Sequence, residues 1–101
     1  MSFIPERKPA EYIFDANHHK GERRVYSYGG VFIADIDSAD LGQCLKNAIS
    51  NVASWQERVD SGKYNASRLK TIEHSLDLTK KEKTRIYNEI QYRELEKQGM
   101  I

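Results

Sequence analysis

Apolar residues recur at intervals of four and three along Leu41, Leu45, Ala48, Val52, Trp55 and Val59, the spacing of a helix that buries one face. Asp37 or Ser38 supplies its N-cap, and Asp40 sits in the first turn, where its charge complements the positive end of the helix dipole. Ser61-Gly62 ends the run near Asp60. Immediately upstream the pattern changes to a stretch rich in aromatic and β-branched residues, Arg23 to Ile36, divided by Gly29-Gly30. Two central glycines suit a type I′ hairpin, which needs positive φ at both positions. In that register Tyr28 opposes Val31, Tyr26 opposes Ile33 and Arg24 opposes Asp35, while Val25, Ser27, Phe32 and Ala34 occupy the other face. Both faces are fairly apolar, so one is expected to meet the helices and the other something else. A single strand bent at the glycines is the competing reading; the hairpin is preferred.

On either side the pattern is weaker. Residues 1–10 hold both prolines, Pro5 and Pro9, and read as an extended arm that Phe3 and Ile4 could anchor. Tyr12-Ile13-Phe14 within residues 11–14 reads as a short strand, and the polar run from Asp15 to Glu22 as a loop. Beyond Gly62 a second helical pattern starts near Asn65 and uses Leu69, Ile72 and Leu76. Thr79-Lys80-Lys81-Glu82 has the form of a capping box and predicts a fresh start at Thr79, with Ile86, Tyr87, Ile90 and Leu95 on the last helix and Gly99 after it. The same spacing also runs unbroken through 79, 83, 86 and 90, so one long helix is the alternative; two are expected.

The fold class that follows is α+β: a small antiparallel sheet from residues 11–14, 23–28 and 31–36, packed on two or three C-terminal helices. A chain of 101 residues suits one small domain, with an arm at 1–10, a β region at 11–36 and a helical region at 37–101. Because only 39% of residues are apolar and 31% are charged, pairing of chains through the amphipathic helices would add useful burial. A formal charge of +1 excludes both an acidic mimic of nucleic acid and a basic coat for DNA. Locally the charge is polarised. Asp35, Asp37, Asp40, Glu57 and Asp60 outweigh Lys46 and Arg58 in residues 25–62, whereas Lys63, Arg68, Lys70, Lys80, Lys81, Lys83 and Arg85 outweigh Glu73, Asp77 and Glu82 in residues 63–85.

Motifs for chemistry are sparse. His18-His19 in an extended loop would point to opposite sides and chelate poorly, so both are expected at the surface. Asp35 and Asp37 could share a cation, but Asp37 is explained as a helix cap and Asp35 as the partner of Arg24. Cys44, the only cysteine, lies beside the helical seam and reads as a buried structural thiol. Gly29-Gly30 lacks the helix start and Lys-Ser/Thr of a phosphate loop, and no serine or histidine sits in a triad context. No catalytic residue, cofactor or metal site is expected, nor a membrane segment; a cytoplasmic, non-enzymatic protein is.

Two surfaces remain as binding candidates. Arg23, Arg24, Tyr26, Tyr28 and Phe32 on the hairpin combine residue types favoured at protein interfaces, and the same mixture stacks nucleobases. Lys80, Lys81, Lys83 and Arg85 form an anion-binding candidate in the first turns of the expected last helix, where positive charge opposes the dipole. In scale and make-up the chain is similar to many small accessory proteins of phages and mobile elements, a likeness that transfers no residue. It implies a protein that binds and inhibits or adapts a host complex. The expected partner is therefore another protein, with nucleic-acid or nucleotide binding as the alternative.

Overall fold

Residues 14–101 are described by the computed structural model. The expected arm at 1–10 and residues 11–13 of the expected first strand lie outside them, and Phe14 belongs to no strand. The polar run that follows is a helix rather than a loop, α1 (Ala16–Glu22). Its N-cap is Asp15, whose carboxylate accepts the N–H groups of Asn17 and His18 at 3.0 and 3.1 Å. Two otherwise orphaned donors are thereby satisfied, and the helix is further held by the burial of His19.

The hairpin forms where expected but is far shorter. Gly29 and Gly30 adopt φ of 61° and 83°, as the tight turn requires. They join β1 (Ser27–Tyr28) to β2 (Val31–Phe32), with Tyr28 opposite Val31 and Ser27 opposite Phe32. Beyond Phe32 the chain leaves the ladder for a 3-10 turn, Ile33–Asp35. The reason lies in what must be buried. Ile33 and Ile36 are both core residues; a strand would turn them to opposite faces, whereas three residues per turn brings both inward. The expected pairing of Arg24 with Asp35 is lost with the ladder. Instead the Ile33 N–H donates to the Tyr26 carbonyl at 3.1 Å and the Ala34 N–H to the Arg23 carbonyl at 2.8 Å.

The helix α2 (Ser38–Asp60) matches its sequence pattern at both ends. Asp37 caps it by accepting the Ala39 N–H at 3.0 Å, and Gly62 reverses the chain with φ 71°. The rest of the chain is a single helix, α3 (Ala66–Lys97), and not two. Asn65 caps it, accepting the Arg68 N–H at 2.9 Å. Thr79 caps nothing: it lies within the helix, its hydroxyl donating to the Leu76 carbonyl at 2.8 Å. Ile72, Leu76, Ile86 and Ile90 stay in phase across Thr79, so a break there would throw half of a buried seam out of register. The C-terminus closes on Gly99 (φ 75°), with the Gly99 N–H on the Glu96 carbonyl at 3.1 Å and the Met100 N–H on the Leu95 carbonyl at 2.9 Å, the two bonds of a Schellman motif.

The architecture is therefore an antiparallel helical hairpin, α2 against α3, capped at one end by α1, the β-hairpin and the 3-10 turn. It is mostly helical with a small two-stranded antiparallel sheet. Overall extents are 50 × 29 × 23 Å. The main core lies under the cap, built from Ile36, Leu41, Leu45, Ala48, Ile86, Tyr87 and Ile90, with Tyr28, Cys44 and Ile49 packed half-buried against it. No helix among the described residues is long and apolar enough to cross a membrane.

Candidate functional site

The cap is joined to the helices by a charged cluster centred on Glu89, which α3 carries on its buried face between Ile86 and Ile90. One carboxylate oxygen, Oε1, accepts from His19 Nε2 at 2.8 Å and from Arg23 Nε at 3.0 Å. The other, Oε2, accepts from Arg23 Nη2 and Arg93 Nε, both at 2.6 Å. A carboxylate offers about four lone-pair positions, and here four N–H groups fill them. Burial alone would raise the Glu89 carboxyl, but the hydrogen bonds from His19, Arg23 and Arg93 outweigh it and bring its pKa down to about 2. Such a group is held ionised and fully occupied, which suits a clamp and leaves no lone pair for proton transfer.

The clamp spans the cap. Arg93 also donates to Ser38 Oγ at 2.8 Å and to the carbonyls of Ile33 and Ala34 at 3.2 and 3.3 Å, so it holds the 3-10 turn and the start of α2. Arg23 lies 4.4 Å over the Tyr92 ring, and the His19 ring is 5.6 Å from the same tyrosine. His19 Nδ1 is buried without a hydrogen-bond partner among the described residues. The two histidines thus part company. His18 is exposed and stands 3.5 Å from Glu22, whereas His19, expected at the surface, is wholly buried because a helical turn and not an extended loop carries it.

Held this way, the β-hairpin is anchored through Tyr28 and exposed along β2. Tyr28 packs against the core, while Val25 (65% exposed), Phe32 (49%) and Val31 (44%) stand open, with the exposed Arg24 beside them. Of the five hairpin candidates the structure therefore leaves Arg24, Tyr26 and Phe32 at the surface. Arg23 is engaged by Glu89 and Tyr28 by the core. The second candidate cluster lies mid-helix on α3, so its charges do not oppose a helix terminus as the two-helix expectation required. Lys80 is exposed, Lys81 pairs with Asp77 at 3.2 Å, and Lys83 is half-buried. Arg85 rests 3.5 Å over the Tyr26 ring with its Nε 4.0 Å from Glu22. That contact joins the two candidate surfaces, and Glu22, Lys80, Lys81, Thr84 and Arg85 line a shallow cleft of about 320 Å³ beside it.

Among the described residues no group of three or more His, Cys, Asp or Glu side chains is placed to hold a metal ion. Asp37 is a helix cap, and burial pushes the Cys44 thiol up, away from thiolate reactivity. The residues that sequence reasoning missed are Glu89 and Arg93. A signal for both existed, since the seam through Ile86 and Ile90 also passes through 89 and 93, and an acid on a buried stripe demands partners. No protein-family model matches the chain, and no curated protein or solved structure does either.

Proposed function

We propose that this protein is a non-enzymatic interaction module that binds another protein through the exposed residues of its β-hairpin and the turn before it, and so inhibits or adapts the complex it joins. The observation that carries this reading is the exposure of three apolar side chains, Val25 in the turn before β1 and Val31 and Phe32 on β2, on a segment whose base is fixed by the Glu89 clamp. Exposed apolar residues grouped on a rigid support bind with little loss of conformational entropy, and Arg24 and Tyr26 at the margin are residue types favoured in interface hot spots. A second reading, nucleic-acid binding through the Arg/Tyr hairpin and Lys80–Arg85, draws support from the Arg85–Tyr26 stack. Acidic neighbours, Glu22 and Asp77, weaken it.

The test is affinity capture with the wild-type chain and with Val25→Asp/Phe32→Asp, each with and without nuclease. Both positions are exposed, so circular dichroism should not change. Stoichiometric protein partners that survive nuclease and are lost with the double variant support the reading. A catch that disappears with nuclease, or that ignores the double variant, removes it.

A further inference from the structure

We propose that the far end of the helical hairpin carries a separate site, a cleft that binds the phosphate and base of a nucleotide. The last turns of α2, the connecting loop and the first turns of α3 enclose a groove of about 300 Å³. Trp55 and Arg58, one turn apart on α2, form one wall, and Tyr64 closes the loop end. Arg68, Thr71 and Ser75, spaced three and four residues apart on α3, form the other wall above a floor that includes the buried Ile72. Trp55 lies roughly 26 Å along α2 from Ser38 at 1.5 Å per residue, and no cap residue lines the groove, so the inference does not rest on the hairpin reading.

Among the described residues, the lining differs in kind from that of three other surface clefts. Those beside the cap and along the helical hairpin include Glu22, or Glu94 and Glu96, or Glu57 and Asp60. This one contains two arginines and no carboxylate. Among the described residues, moreover, neither guanidinium has an acidic partner, whereas Arg23, Arg85 and Arg93 all do. Two unneutralised guanidiniums beside the hydroxyls of Tyr64, Thr71 and Ser75 suit an anion with several oxygens at tetrahedral angles. A phosphate group meets that description and engages arginine forks through paired hydrogen bonds. The Arg58 guanidinium lies 4.5 Å over the Trp55 ring. Indole and guanidinium surfaces are what nucleobases stack on, so the groove joins a phosphate anchor to a stacking platform.

Trp55 is the only tryptophan in the chain, so its fluorescence reports this groove alone. The probes are adenosine monophosphate, inorganic phosphate and a short oligothymidylate, each titrated at fixed ionic strength. Saturable quenching by adenosine monophosphate is expected, with inorganic phosphate as a competitor. Arg58→Gln and Arg68→Gln should each weaken binding about tenfold, the scale of one charge-assisted hydrogen bond. Arg58→Lys and Arg68→Lys, which keep the charge and lose the fork, should fall between, and Lys80→Gln should change nothing. Oligothymidylate binding that is tighter than the mononucleotide's and falls steeply with salt would make a nucleic-acid strand the source of the phosphate. Mononucleotide binding as tight or tighter would make it a free nucleotide. Absence of saturable quenching by any probe, or unchanged affinity in arginine variants that keep their helicity, overturns the proposal.

Discussion

The two halves of α3 share one helix and one apolar spacing, yet they are buried very differently. From Ile86 to Tyr92 the helix packs against α2 on one side and the cap on the other, and five of those seven positions are buried. From Ala66 to Leu78 it has, among the described residues, only α2 beside it, and Ile72 and Leu76 are the sole buried residues of that stretch; Leu69 and, across the groove, Val52, Trp55 and Val59 stay half-exposed. Periodicity states which face of a helix turns inward, but the number of packed layers decides how far that face leaves water. The capped half can therefore hold a charge cluster away from solvent, and the bare half can keep an open groove.

The contrast is broken most directly at Glu89. Removing one member of a buried ionic cluster strands the others, so Glu89→Gln is expected to cost about 3–5 kcal/mol in chemical denaturation. A loss below about 1 kcal/mol would mean that the cap stays attached by apolar contacts alone. The same residue sets a pH dependence. Its carboxyl is lowered from an ordinary 4.5 to about 2, so its contribution is complete above the unfolded value and is lost as pH falls from 4.5 towards 2. The whole effect is on the order of 3 kcal/mol. Wild type and Glu89→Gln should accordingly differ most at neutral pH and converge as pH approaches 2; a constant gap across that range would contradict the ionised clamp.

Large-to-small changes along α2 sharpen the comparison with a smaller effect. Leu45 is fully buried under the cap, and Leu45→Ala should cost about 3 kcal/mol through lost transfer energy and a residual cavity. Val59 occupies the same seam near the tip, half-exposed, and Val59→Ala should cost below about 1 kcal/mol. Equal costs at the two positions would show that the far end of the helical hairpin is covered in solution by something more, such as a second copy of the chain.

Much of this was legible in the sequence where local physics and tertiary packing agree. The ends of α2 were, because Asp37 and Gly62 act on backbone groups within a few residues. So was the Gly29-Gly30 turn. The extent of the strands was not: Val31, Phe32 and Ile33 are all β-prone, and only the need to bury Ile33 and Ile36 together turns the chain into a 3-10 turn. α1 was missed for a similar reason. Ala16–Glu22 has no apolar periodicity, and it is fixed in place by a polar residue, His19, whose partner Glu89 lies 70 positions away. Of the surface candidates, Arg24, Tyr26 and Phe32 were reachable from residue type, but nothing local separates them from the inward Tyr28 or from Arg23.

Thr79 offers the smallest effect and the clearest sign. A threonine that begins a helix supplies an N-cap, and replacing it with alanine would cost about 1 kcal/mol. A threonine inside a helix spends its hydroxyl on the preceding turn, here the Leu76 carbonyl, and has the lower helix propensity. Thr79→Ala is then expected to leave stability unchanged or raise it by a few tenths of a kcal/mol, with thermal unfolding as the readout. A loss near 1 kcal/mol would restore the break at Thr79 and divide α3 into a capped segment and an independent arm. A small gain means that a single rigid helix joins the two ends, so that the β-hairpin and the groove at Trp55 keep a fixed separation whatever each of them binds.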